Sequence, residues 1–366
     1  MMKKLNKIPF RVRFKYGYYQ FFDHFLTRPR FFNWTRKSRT RFYKNLKSRL
    51  EQTGEGTLTP VDRVKDISRK DFFKNYVKKG IPVIMEGKAA DWKCVQDWSL
   101  EYFKELHGDD EIVFLNQRDI NVDDYEQTTL GKVIDTIREG GDKYYRFYPL
   151  LTEHPEHLDD FDYSWLRSLR RRFAIGEAFH VFISGKGGFT PTHNANSENI
   201  FTQIYGEKKW VLYPMEATCV VDPPPTRNFY RSALVHRGKD FDPFERNFED
   251  FPLYKYINGY SVHLKPGDVF YNPPYMWHAV KNPTDSIGVG YRYFTPAQTF
   301  FKYPLYFGLE LFAFNPPIWK SWKRYGDINL LHLMETKRLK KLEKERGEGK
   351  ITDTVKSKPK TVSDTN

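Results

Sequence analysis

From Arg172 onward the chain breaks into short runs rich in β-branched and aromatic residues, each closed by Gly, Pro or Asn: AFHVFISG (178–185), NIFTQIYG (199–206), KKWVLYP (208–214), YSVHLKPGDVFYNP (260–273) and IGVGYRYF (287–294). Such side chains suit a pleated, largely buried surface, and turn residues at short intervals favour antiparallel connections. A series of this kind predicts a closed antiparallel barrel or jelly roll. The fold class is therefore mainly β with α elaborations.

Outside these strands the pattern is mixed. Ser68 can cap a helix whose apolar positions Phe72, Phe73, Tyr76 and Val77 recur at helical spacing, and Ser99 opens a second helix through Leu106. IPVIMEG (81–87) and EIVFLNQ (111–117) are strand candidates, and TLGKVIDTIREGG (129–141) is a helix closed by glycines. The segment 222–259 is too long and irregular for a hairpin, and loops of this kind often line sites. After Pro296 the chain turns helical again, 330–349 reads as a charged helix, and the polar remainder to Asn366 as a disordered tail. Four regions follow. Residues 1–58 are a basic aromatic arm and linker, with 51–64 rich in Gly, Thr and Pro; 59–296 are the main domain, with the barrel core at about 172–296; 297–348 are a C-terminal helical segment; 349–366 are the tail.

Charge is confined to one end. Residues 1–50 hold 15 Lys or Arg against the single acid Asp23, whereas 51–366 hold 45 of each sign, so the net charge of +14 lies in the arm. The arm is also dense in Phe, Tyr and Trp. Three readings of that mixture stand: the rings pack on the main domain and the cations are a solvated face; the arm sits on an anionic membrane surface; or it stacks on single-stranded nucleic acid, for which no accompanying module is visible. Cys94 and Cys219 are the only cysteines, which excludes an intrachain disulfide framework or cysteine zinc cluster and suits a reducing compartment. No apolar core of signal-peptide length follows the positive N-terminus, and YPLYFGLELFAF (303–314) falls short of the ~20 residues that span a bilayer. A cytoplasmic protein, peripheral at the membrane if the arm binds lipid, is expected.

His193 and His278 lie 85 positions apart on different expected strands, which is how a barrel brings two ligands together on its inner wall. Around them stand Thr190, Pro191, Asn199, Gln203, Gly206, Lys208 and Trp210, then Pro266, Gly267, Asp268, Val269, Tyr271, Pro273 and Trp277. This text resembles the cupin-like JmjC proteins, the Fe(II)- and 2-oxoglutarate-dependent hydroxylases that include the asparaginyl hydroxylase of hypoxia-inducible factor. The resemblance covers roughly residues 65–295 and includes RKDFFKNYVKKGIPVIMEGKAADW (69–92). It implies a double-stranded β-helix barrel with an N-terminal α/β segment and C-terminal helices. It further implies that His193 and His278 hold iron, that Lys208 pairs with the distal carboxylate of 2-oxoglutarate, that Thr190 hydrogen-bonds it and that Asn199 lines the same pocket. Gly290 and Arg292 on the last strand are candidates to face a substrate, which is a protein side chain or a small molecule; a solvated strand arginine is the other reading of Arg292.

In one position the pattern breaks. Two residues after the first histidine, where the family carries Asp or Glu, this chain has Ala195. Two imidazoles and a carboxylate normally form the facial triad around Fe(II). Fe(II) with a 2-oxoglutarate dianion is neutral, so the alanine leaves a position into which chloride fits, and halogenation becomes one expectation, by analogy with halogenases of other folds. In a second, water or a carboxylate from 222–259, such as Asp222 or Asp240, completes the site and hydroxylation survives. In a third, metal affinity is lost and the barrel is a binding or scaffolding module.

Overall fold

The computed structural model describes residues 8–26, 28–115, 125–141, 144–148, 150–224, 231–234, 236 and 238–311. The sequence-predicted helix at 330–349 and the tail lie outside them. Eight strands form the barrel: β1 (Ile175–Ser184), β2 (Phe189–Asn194), β3 (Glu198–Tyr205), β4 (Lys208–Tyr213), β5 (Gly259–Leu264), β6 (Val269–Asn272), β7 (Trp277–Lys281) and β8 (Ser286–Phe294). Their order is β5-β4-β7-β2 in one sheet and β6-β3-β8-β1 in the other, with neighbours antiparallel throughout. This is the antiparallel jelly-roll barrel that the run of short strands predicts, in the double-stranded β-helix form that the family resemblance implies.

Side-chain alternation sorts every strand into two faces. Inward residues such as Phe182, Phe201, Trp210, Leu212, Val262 and Phe270 meet between the sheets in one apolar cluster. Outward residues of β1, β3, β6 and β8, including Val181, Ile200, Tyr271 and Val289, join a second cluster with Phe103, Val133 and Ile134 of helices Leu100–His107 and Leu130–Arg138. Outward residues of β4 and β7, Val211, Tyr213 and Trp277, are covered in a third cluster by Tyr16, Tyr19, Phe42 and Leu46 from the N-terminal region. The barrel is buried on both outer faces, which explains strands that read as near-continuous apolar runs.

That N-terminal region differs from an arm and linker. It is a helical hairpin, α1 (Phe10–Leu26) and α2 (Arg28–Thr53), docked on the barrel. The expected linker 51–64 contains the end of α2 and two short strands. Leu58–Pro60 pairs in parallel with β5, and Arg63–Val64 pairs with Val83–Met85 at the edge of the other sheet. Gly, Thr and Pro there mark turns between elements rather than a free tether. Asp23, the single acid of the hairpin's basic run, is buried with Arg39 at 2.6 Å, and Arg39 lies 4.4 Å from the centroid of the Tyr19 ring. The expected helix from Ser68 forms, with Ser68 capping Asp71 N, but widens into a π-helical turn over Phe73–Val77.

Candidate functional site

Adjacent strands bring the two histidines together. His193 of β2 and His278 of β7 are directly opposite in the antiparallel ladder, with ring centroids 4.1 Å apart. Each Nδ1 lies 2.8 Å from the carbonyl oxygen two residues earlier, Pro191 for His193 and Met276 for His278. A carbonyl can only accept, so each Nδ1 carries the proton and each Nε2 the lone pair, which is the tautomer a metal requires. Burial, opposed in part by the bond to Met276 and reinforced by the Arg292 charge, pulls His278 down to about 4 and keeps it neutral near pH 7. Trp210 stacks on His278 at 5.2 Å and fixes the ring plane.

Thr190 and His193 are three residues apart, a spacing that in a regular strand puts side chains on opposite faces. Between them the register slips: His278 faces His193 but Val280 faces Thr190, so β2 carries one extra residue against β7. The bulge turns both side chains into the barrel. Thr190 Oγ1 and both side-chain amide atoms of Asn199 are buried without a hydrogen-bond partner among the described residues. Asn199 lies over Gly290, where an added Cβ would stand 2.8 Å from its Oδ1, so the glycine makes room for the amide.

Lys208 is completely buried, not the exposed hairpin lysine that Glu207 and Lys209 beside it suggest. Its ammonium donates to Asn282 Oδ1 at 2.6 Å, and Asn282 Nδ2 donates in turn to Ser184 Oγ and Gly188 O. Sequence reading missed Asn282 and Ser184, although counting by twos from His278 reaches 280 and 282 on the same face. Arg292 is half-buried on the inward face of β8, 5.7 Å from the Phe182 ring centroid and near enough to His278 to depress its protonation. Gly290 is opposite His180, which is itself buried.

Other motif residues prove to be scaffolding. Gln203 donates to Tyr205 O and Gly206 O and braces the β3–β4 turn. Asp268 accepts from Arg63, Gly87 N and Lys265 N; Tyr271 donates to Glu198; Trp277 donates to Thr218.

Ala195 follows the end of β2, half-buried, its carbonyl accepting from Tyr275 N at 2.8 Å. The nearby acids are turned elsewhere: Glu198 accepts from Tyr271, and Asp222 accepts from Tyr16 of α1. Among the described residues, one trio of His, Cys or carboxylate ligands lies close enough to share an ion, His107, Asp110 and His154, and it excludes His193 and His278. That trio sits by the helices covering the outer face of the β6-β3-β8-β1 sheet. Its groups bond to one another or to neighbours: His154 Nε2 meets Asp110 Oδ2 at 2.8 Å, and His107 Nε2 meets His157 Nε2 at 2.7 Å. Asp160 receives His157 Nδ1, which extends a hydrogen-bonded chain from His107 through His157.

The donor set fits a divalent cation held through two imidazoles, with one protein corner missing. The buried ammonium, the unpartnered hydroxyl and the unpartnered amide fit a small dicarboxylate. The chain is 23% identical over 256 residues to Lysine-specific demethylase JMJ30 of Arabidopsis thaliana, covering 66% of this chain and 57% of that protein. It is 23% identical over 237 residues to Lysine-specific demethylase 8 of Xenopus tropicalis, covering 61% and 50%. It is also 24% identical over 254 residues to tRNA wybutosine-synthesizing protein 4 of Emericella nidulans, covering 65% and 22%. The chain thus spans about half the length of the two demethylases and less than a quarter of the third relative. The model of the cupin-like domain matches residues 69–299, and with the barrel and its paired histidines this places the chain in the cupin-like family that includes the JmjC proteins.

Proposed function

We propose that the barrel is an Fe(II)- and 2-oxoglutarate-dependent oxygenase that oxidises a C–H bond of a substrate still to be identified. One observation carries the reading: two tautomer-locked histidines and a buried lysine, threonine and asparagine project into the same barrel interior. Iron, when bound, supplies the centre at which oxygen is reduced as 2-oxoglutarate loses CO2 to become succinate. The protein's part is positional. His193 and His278 offer Nε2 to the metal, His278 already neutral through its burial, and Lys208, steadied by Asn282, receives the distal carboxylate. Thr190 and Asn199 gain the partners they lack, and the apolar wall of Phe201, Trp210 and Phe270 excludes bulk water. The balance is substrate C–H plus O2 plus 2-oxoglutarate to alcohol plus CO2 plus succinate. Demethylation, which the names of two relatives carry, begins with the same hydroxylation at an N-methyl group.

Ala195 favours a variant outcome. With no protein carboxylate at the third corner, chloride can enter and restore the charge that aspartate gives other family members; the balance is then substrate C–H plus chloride, a proton, O2 and 2-oxoglutarate to C–Cl plus water, CO2 and succinate. Anaerobic titration with Fe(II) and 2-oxoglutarate should produce a weak visible charge-transfer band. No band at millimolar reagent would sink the oxygenase reading in favour of a non-catalytic binding module. Succinate release with and without chloride separates halogenation from hydroxylation.

A further inference from the structure

The two faces of α1 have different fates. Tyr16, Tyr19, Gln20 and Asp23 are buried against the rest of the protein, at the i, i+3, i+4, i+7 spacing of one helical stripe. Phe10, Phe14, Tyr18, Phe21 and Phe25 recur every three or four residues along another stripe and stay exposed, Phe10 at 69% and Phe14 at 67%. Trp34 on α2 is 79% exposed, and Phe301, beyond the barrel, 81%. Phe10, Phe14, Tyr18 and Phe21 wall a groove of about 1200 Å³ whose other side includes Tyr303 and Leu305. An exposed apolar stripe that opens into a groove marks an interaction site.

Charge identifies the occupant. Through residue 50 the hairpin's single carboxylate is Asp23, and it is buried against Arg39, so no negative charge of that stretch faces outward. Arg11, Arg13 and Lys15 flank the aromatic stripe, and Arg36, Lys37 and Arg41 are exposed on α2. Arg13, Lys78, Lys79 and Lys302 line the groove against one acid, Glu216. Exposed rings between outward cations are the pattern of a helix that lies in a lipid–water interface, with rings at the acyl boundary and cations at the headgroups. No described helix is long and apolar enough to cross a membrane. We propose that this face docks on an anionic phospholipid bilayer and holds the protein at the membrane surface. Single-stranded nucleic acid shares the charge requirement. It is the poorer fit because the rings form one continuous apolar stripe that opens into a groove, rather than separate stacking platforms.

Co-sedimentation of the full chain with vesicles tests this, using phosphatidylcholine alone or with ~30 mol% phosphatidylserine. Binding to the mixed vesicles only, weakened when salt rises from ~0.1 M to ~0.5 M, is expected. F14A together with F21A should lower the partition coefficient by about tenfold or more. R36E together with K37E, both exposed on α2, should lower it comparably without touching the apolar stripe, and unchanged thermal melts for both pairs show that the fold survives. Vesicles carrying brominated lipid should quench Trp fluorescence in the native protein and less so in W34F. Three results would each overturn the proposal: no binding above the phosphatidylcholine control, binding indifferent to both pairs of substitutions, or displacement from vesicles by a single-stranded oligonucleotide at lower concentration than lipid. Binding that appears only when residues 312–366 are removed would also overturn it, since the chain itself would then cover the face.

Discussion

At the scale of single residues, Lys208 makes the sharpest claim. Burying an ammonium costs several kcal/mol that a neutral amide offsets only in part, so a group kept there serves binding more than stability. Lys208→Met should leave the melting temperature unchanged or slightly raised while increasing the KM for 2-oxoglutarate by roughly 10²–10³-fold, the effect of removing one partner of a buried charge pair. A parallel loss of stability and binding would make the lysine structural instead. Ala195→Asp should return the missing corner and tighten Fe(II) at least about tenfold, read from the titration midpoint; any chloride dependence of the reaction should vanish with it. His278 gives a pH signature. Its pKa falls from the ordinary 6.5 to about 4 on folding, so the unfolded chain binds more protons between those values. Metal-free protein should therefore lose stability as pH drops from about 6.5 towards 4, by on the order of 3 kcal/mol from this group, and melts across that window should be flatter for His278→Gln.

Elements translate these residues into geometry, and here the sequence was only partly legible. Strand identity showed in composition, and caps such as Ser68 and Ser99 in single letters. The β2 bulge did not show: nothing local says that Thr190 and His193 share a face, because the extra residue exists only relative to β7. The same holds for Asn282 under Lys208, whose role depends on the register of β7 against β4. The β3–β4 turn sets where Lys208 begins. Gly206 has φ +64°, and a Cβ there would fall 1.8 Å from Asp285 O. Gly206→Ala should destabilise by about 2–4 kcal/mol in denaturant melts and weaken 2-oxoglutarate binding through displacement of Lys208.

For the whole molecule, the N-terminal hairpin is where sequence and structure part furthest. Of the three readings composition left for the basic aromatic segment, the structure has the packing one: Tyr16, Tyr19, Phe42 and Leu46 cover the outward side chains of β4 and β7, the strand that carries His278, but they do so from a docked helical hairpin that composition did not show. The hairpin therefore supports the site from behind. Asp23→Ala, which strands Arg39 as a buried unpaired charge, should cost about 3–5 kcal/mol in equilibrium unfolding. Removal of residues 1–50 should destabilise the barrel as well as abolish vesicle binding.

By itself the sequence determined the strand-rich barrel, because periodicity and turn residues are local properties of a chain, and its resemblance to the cupin-like JmjC proteins singled out the two histidines, the candidate co-substrate residues and the break at Ala195. Only the tertiary structure decided which of those residues share the interior, that Lys208 is buried, that Glu198 and Asp222 are committed to tyrosines, and that one face of α1 is covered while the other stays bare. Those outcomes depend on register and packing between segments far apart in the chain, and no single segment encodes them.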